Sequence, residues 1–412
     1  MRDHQRFFIY ACVCYLFIGF GHVGIGSVMP QMLSSYQEQY GDGGWLVSMQ
    51  FLGFLVGVLI APYWAHIQSK TSILMISIAA MSLTSIVYAL HLGWSYTLLA
   101  APFGGFGLGV IETMIGALVI QLFASRKAVK MSQIEVFFGV GALILPLCAG
   151  LLIRIDLWYA VFLITASLGM LLWLVTRPVM HRIGQAARTE DSALVRTEES
   201  AAATEDRPFV GTWTVLRSSY RLLIWFCLYF MLYVGLEISL VSFMPSMVLE
   251  KSAASESIAA FSVTFFWITM SIGRMIAGYL SEATSYLGYL LASAAGTGVG
   301  LLGMAMSNHY TWLLVSILWI GLCMSGMFAI GLVAANEAVQ GYPDQVISLM
   351  IASGGIGGSI LPLLLGNSLE RAGTGNSLML LGLTTLFMLA MLWIPSQWLR
   401  KNRRKGQAVK TG

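Results

Sequence analysis

The sequence predicts an all-α polytopic membrane protein, with twelve transmembrane helices arranged as two parallel six-helix repeats. Three observations carry this reading. The chain is 57% hydrophobic and only 10% charged over 412 residues, against about 25% charged residues in soluble domains. Its apolar residues gather in runs long enough to cross a bilayer, which takes about 20 residues each. The two halves also repeat one another at an offset of 215–216 residues.

The spans in order are 7–33, 44–66, 72–91, 95–123, 131–153, 157–176, 220–248, 257–281, 286–306, 310–336, 345–367 and 376–395. The runs are continuous and of helix length. A membrane β-barrel, whose strands alternate apolar and polar residues, is excluded. Met1 to Arg6 is basic and leads into an apolar run too long for a cleaved signal segment, so it is expected to remain as the first span. Cys12, Cys14, Cys148, Cys227 and Cys323 all lie inside apolar runs without metal or pairing spacing, and read as packing residues. No metal or cofactor site and no nucleotide-binding loop is visible, so an enzyme is not expected. The net charge of +4 comes from basic residues between spans and in the tail, which is membrane topology and not a nucleic-acid surface.

Lys and Arg set the orientation. With the N-terminus inside, the inner connections hold Arg2, Arg6, Lys70, Arg126, Lys127, Lys130, the arginines from Arg177 to Arg217, and the tail from Arg400 to Lys410. The outer connections hold only Arg154, Lys251 and Arg371. Both termini are therefore expected in the cytoplasm of a cell whose plasma membrane the chain crosses many times. The organisation follows: a first bundle over 1–176, a polar linker of mixed charge over 177–219, a second bundle over 220–395, and a basic tail over 396–412.

The repeat fixes the symmetry. Gly57-Val-Leu-Ile-Ala-Pro-Tyr-Trp-Ala matches Gly273-Arg-Met-Ile-Ala-Gly-Tyr-Leu-Ser. Phe138-Gly-Val-Gly-Ala-Leu-Ile-Leu-Pro-Leu matches Gly354-Gly-Ile-Gly-Gly-Ser-Ile-Leu-Pro-Leu. An even number of spans per half makes the repeats parallel, related by an axis along the membrane normal. Within this frame His22 falls where Glu237 falls, Ser27 where Ser242 falls, and Met29-Pro30 where Met244-Pro245 fall. Each half thus places one ionisable group inside its opening span. Such groups are costly in hydrocarbon unless they face protein or water, and they mark function.

Twelve spans as six plus six around a long central loop resemble the major facilitator superfamily. Local patterns resemble its fucose and glucose/galactose permease branch: Gln50-Phe-Leu-Gly-Phe-Leu-Val-Gly, Gly107-Leu-Gly-Val-Ile-Glu-Thr, Phe137-Phe-Gly-Val-Gly-Ala and Tyr233-Val-Gly-Leu-Glu-Ile-Ser. The resemblance implies alternating access around a site at the midplane between the halves, and an acid near Glu112 that takes part in proton coupling. The superfamily's loop motif between the second and third spans keeps only its basic end here, Lys70, while the second-half copy keeps Arg274, Gly278 and Glu282.

Four groups are the candidates for chemistry. Equivalent spans should both line the cavity, so His22 and Glu237 are expected to approach one another in some state. A histidine titrates near neutral pH, which suits it to proton uptake and release. The alternatives are a neutral histidine bonded to a backbone carbonyl and a structural glutamate between helices. Glu112 is the other coupling candidate. Glu135 lies among Arg126, Lys127 and Lys130 and reads as a gate residue in a salt bridge with them, and Arg274 and Glu282 read as gate contacts. Gln50, Tyr233, Trp267, Trp319, Asn336 and Asn367 are polar or aromatic candidates for substrate contact. Together these imply a secondary active transporter, a proton-coupled symporter of a small polar solute such as a sugar. The alternative is a proton-coupled exporter of drugs or metabolites. The partners expected are the solute, H⁺ and the bilayer, with the chain a monomer.

Overall fold

The computed structural model describes residues 2–123, 127–194, 212–338 and 343–410. Among the described residues there is no β-strand. The described residues form thirteen helices: α1 (Arg2–Ser27), α2 (Met29–Tyr36), α3 (Tyr40–Ile67), α4 (Lys70–Ala89), α5 (Trp94–Leu122), α6 (Lys127–Ile153), α7 (Ala160–Leu194), α8 (Thr212–Lys251), α9 (Glu256–Thr284), α10 (Tyr286–Met306), α11 (Tyr310–Met324), α12 (Met327–Ala338) and α13 (Pro343–Lys410).

Helix and span differ at three places, each for a local reason. The first span is α1 plus α2, broken at Val28, with Pro30 seated in the first turn of α2, where its missing N–H costs nothing. The tenth is α11 plus α12, parted at Ser325-Gly326, a pair that favours a break. The last two spans share α13, which reverses at Gly373, whose φ of 73° suits glycine. Twelve crossings result, in two parallel six-helix repeats. Helical structure also runs past the sequence boundaries. α7 continues to Leu194, and the tail is helical to Lys410. The rest of the linker, 195–211, lies outside the described residues.

Both ends of the described chain emerge at one end of the bundle, called here the terminal end. The halves meet along α1 with α8, α3 with α13, and α6 with α9. Glycine lets these backbones touch. A Cβ on Gly26 would come 2.7 Å from Ser242 Cα, and one on Gly366 would come 2.3 Å from the Tyr40 carbonyl oxygen. The polar ties between halves sit at the end opposite the termini. Gln31 Nε2 donates to Glu256 Oε2 at 2.9 Å, the Gly41 amide donates to Glu370 Oε2 at 3.0 Å, and Arg154 Nε donates to Ser257 Oγ at 3.0 Å. Cross-half packing reaches mid-depth, where Phe51 meets Gly358 and Phe138 meets Trp267. The far end is thus held shut.

Candidate functional site

His22 lies at mid-depth on α1, its imidazole enclosed by three aromatic rings. Phe51 and Phe54 of α3 and Phe138 of α6 present edges at centroid distances of 5.5, 5.4 and 5.3 Å. Phe51 lies two residues before Gly53 and Phe54 directly after it, and Gly53 presses against the Pro102 carbonyl of α5 and so fixes α3 beside it. In this apolar collar His22 Nε2 is buried and without a hydrogen-bond partner among the described residues. The nearest charged atom is Glu112 Oε2 of α5, 4.0 Å away. His22 is 13% exposed and Glu112 35%. The neighbour of His22 is therefore the acid of its own half. A cross-half approach to Glu237 is not seen in this state.

A second polar cluster faces it from the other half. Arg274 of α9 lies within electrostatic reach of Glu237 on α8 and of Glu135 on α6, so one guanidinium serves an acid from each half. Its carbon is 5.7 Å from the centre of the Trp267 ring, a cation–π distance. Glu135 also acts on Glu112, and Tyr15 of α1 lies near both acids. His22, Glu112, Glu135, Arg274 and Glu237 thus lie within electrostatic reach of one another in series, from one half to the other. The sequence placed Arg274 at the gate and did not single out Tyr15 or the phenylalanine collar. Arg274 shares the repeat motif headed by Gly273, which was the available signal.

The remaining candidates divide by position. Tyr233 is buried beside Glu237, stacked with Tyr229 at 6.2 Å. Its hydroxyl donates to the Met324 carbonyl at 3.5 Å, and Tyr229 donates to the Met327 carbonyl at 3.1 Å. Tyr233 thereby reaches the last carbonyl of α11, which the break leaves without a helical amide, while Tyr229 adds a second bond to the Met327 carbonyl that opens α12. Trp267 Nε1 and Asn336 Oδ1 are buried with no partner among the described residues. Gln50 is spent inside the first half, its Nε2 donating to the Gly21 carbonyl at 3.0 Å. Trp319 stands on the outside of the bundle, 48% exposed, its Nε1 donating to the Gly296 carbonyl at 2.9 Å. Asn367 bonds back onto its own helix near the far end, donating to the Leu363 carbonyl at 2.8 Å.

At the terminal end, Lys130 donates to Gln133 Oε1 at 3.0 Å and sits 3.8 Å over the Phe8 ring. Among the described side chains the charge acting on Glu135 is Arg274 across the cleft, and the Lys127 side chain lies outside them. Glu282 is exposed near the terminal end of α9. Arg126 lies outside the described residues.

The fold and this site define a membrane carrier built from two pseudo-equivalent halves around a polar cleft. The Major Facilitator Superfamily model matches residues 11–282 and again 237–411. The glucose/mannose transporter GlcP of Bacillus subtilis is 31% identical over 375 residues, covering 88% of each chain. Among solved structures, the xylose transporter XylE of E. coli in a partially occluded inward-open conformation is 12% identical. It covers 95% of this chain and 98% of its own, with a TM-score of 0.75. A D-xylose–proton symporter is 15% identical, covers 94% and 96%, and gives a TM-score of 0.73. The chain belongs to the Major Facilitator Superfamily, and it is a membrane transporter and not an enzyme.

Proposed function

We propose that this protein is a proton-coupled symporter of a hexose-class sugar. It works as a monomer by alternating access in the plasma membrane, with the terminal end in the cytoplasm. The observation that carries the coupling is the His22–Glu112 pair at 4.0 Å inside a phenylalanine collar. Two titratable groups that a small side-chain movement would bring into hydrogen-bond contact, screened from bulk water yet reachable through Glu112, have the makings of a proton site. Glu237 joins the coupling network as the acid through which the second half responds, its charge balanced by Arg274 and the transported proton staying on the first half. Glu135, Arg274, Arg126 and Glu282 form the gate on the cytoplasmic side. The sugar is supported by the likeness to the glucose/mannose transporter. The unpartnered polar atoms of Trp267 and Asn336, with Tyr233, are the groups we assign to it. The orientation rests on the excess of Lys and Arg in the connections at the terminal end. The bodies that move are 1–176 and 220–395, joined by 177–219, with 396–412 as a basic tail.

The test uses proteoliposomes with a pH-sensitive dye inside. Glucose or mannose added outside acidifies the lumen with the wild-type protein, and pentoses or small acids do so less. Sugar entry without acidification sinks symport. Efflux of a dye cation driven by an imposed proton gradient, with no sugar response, favours export.

A further inference from the structure

The interior of the first half holds a polar group that the transport reading leaves unused. Tyr88, near the end of α4, is 3% exposed, and its hydroxyl has no hydrogen-bond partner among the described residues. Its ring stands edge-on to Phe162 of α7, with centroids 5.2 Å apart. A buried hydroxyl without a partner is costly, and more so at membrane depth, where bulk water does not reach it.

The surroundings of this hydroxyl indicate what meets it. Tyr88 lines a cavity of about 20 Å³ together with Gln50 of α3, Thr84 and Ser85 of α4, and Thr165 of α7. Thr84 and Ser85 precede Tyr88 by four and three residues, so all three share one face of α4. The rest of the lining is apolar or glycine. A buried water needs a cavity of about 10–15 Å³ and roughly two to four polar partners. The cavity therefore has room for a water and none for a sugar.

The protons on the lining decide between a water and a cation. Thr84 donates to the Ala100 carbonyl at 3.1 Å, Ser85 to the Met81 carbonyl at 3.0 Å and Thr165 to the Val161 carbonyl at 3.1 Å. Gln50 Nε2 donates to the Gly21 carbonyl at 3.0 Å. These three hydroxyls and the Gln50 amide oxygen have lone pairs to offer, whereas Tyr88 has a proton to give. The ligand must accept one hydrogen bond and donate others, as water does. A sodium ion could take the lone pairs but could not accept from Tyr88, and no lining residue carries a charge to balance it.

We propose that this cavity binds one water, which accepts from Tyr88 and donates to two of the oxygens of Ser85, Thr165 and Gln50. The water ties α4 to its neighbours inside the first half. It also supports the Gln50 side chain that grips Gly21, the residue before His22. The proposal is independent of the sugar and of proton coupling.

The full chain in detergent is exposed to a short X-ray pulse, which makes hydroxyl radicals from bound water, and oxidised side chains are located by mass spectrometry. Met81 lines the cavity and is 3% exposed, yet it should be labelled strongly. Met304, as deeply buried in the second half and outside the cavity, should not. Tyr88→Phe and Thr165→Val each remove one partner of the water. Each should cut Met81 labelling several-fold and lower the midpoint of thermal unfolding. A dry cavity predicts otherwise for Tyr88→Phe, since deleting a stranded hydroxyl leaves the midpoint unchanged or raises it. That result overturns the proposal, and so does a wild type whose Met81 is labelled no more than Met304. A wild-type midpoint raised by sodium over potassium, with the rise abolished in Thr165→Val, overturns it too, because the cavity then holds a cation.

Discussion

The opening helices of the two halves are copies in sequence and opposites in chemistry. α1 and α8 place His22 and Glu237 at matching positions, and they touch further along at Gly26 and Ser242. Yet the same Met-Pro pair breaks α1 at Val28 and is absorbed within α8, which runs unbroken to Lys251. The neighbours diverge more. His22 faces a second titratable group, Glu112, inside a collar of aromatic edges. Glu237 faces Arg274, a cation that does not deprotonate in proteins. Matching positions in the two halves thus set where a side chain enters the cleft, and the residues of adjacent helices decide what it can do there. In the proposed reading the first half gains and loses the proton, and the second half responds through a fixed charge.

The largest effect should separate these roles directly. Glu112→Gln should abolish sugar-driven proton entry and lower uptake by about 5- to 150-fold, the usual range of a coupling free energy. Exchange of labelled for unlabelled sugar, which needs no net proton movement, should survive. Glu237→Gln should keep the ratio of protons to sugar while weakening sugar binding, read by substrate quenching of tryptophan fluorescence. If the two phenotypes are exchanged, the halves have been assigned the wrong way round.

A smaller effect tests whether Arg274 is shared. Arg274→Gln leaves Glu135 and Glu237 without their common cation, and transport should fall by about tenfold or more through that lost coupling. Adding Glu237→Gln should restore part of the loss, since one uncompensated acid is removed. Effects of residues in one charge network are expected to be non-additive, by about 0.5–3 kcal/mol. Strict additivity in the double variant would mean that Arg274 and Glu237 act separately.

The fold was legible because the bilayer enforces it. Hydrocarbon admits only long apolar helices here, so span number, parallel repeats and the positions of His22, Glu112 and Glu237 could be read from runs and offsets. The pairing was not legible. His22 was expected opposite Glu237 because the repeat makes them equivalent, but its distance to Glu112 depends on how α1 leans on α3 and α5. That lean is set by contacts such as Gly21 against Leu108 and the Gln50 bond to the Gly21 carbonyl, which no linear pattern records. Gln50, Trp319 and Asn367 show the same limit: residue type suggested ligands, and the helix faces sent them to a backbone carbonyl, the outer surface and their own helix.

The smallest prediction concerns the second half alone and asks what its tyrosines do. Tyr229 and Tyr233 both donate to carbonyls flanking the α11–α12 break, at 3.1 and 3.5 Å. The first half has no counterpart, since its fourth span, α5, is continuous from Trp94 to Leu122. Removing a hydroxyl should therefore cost stability according to how well its bond is made. Tyr229→Phe removes a well-formed buried bond to the Met327 carbonyl, which keeps its helical amide, and should destabilise the protein by about 0.5–1.5 kcal/mol, seen as a lower midpoint of thermal unfolding in detergent. Tyr233→Phe, whose bond is at the limit of length, should cost less in stability and more in sugar binding, because Tyr233 also stands beside Glu237. Equal stability losses with unchanged binding would make both tyrosines purely structural and would leave Trp267 and Asn336 as the groups assigned to the sugar in this half.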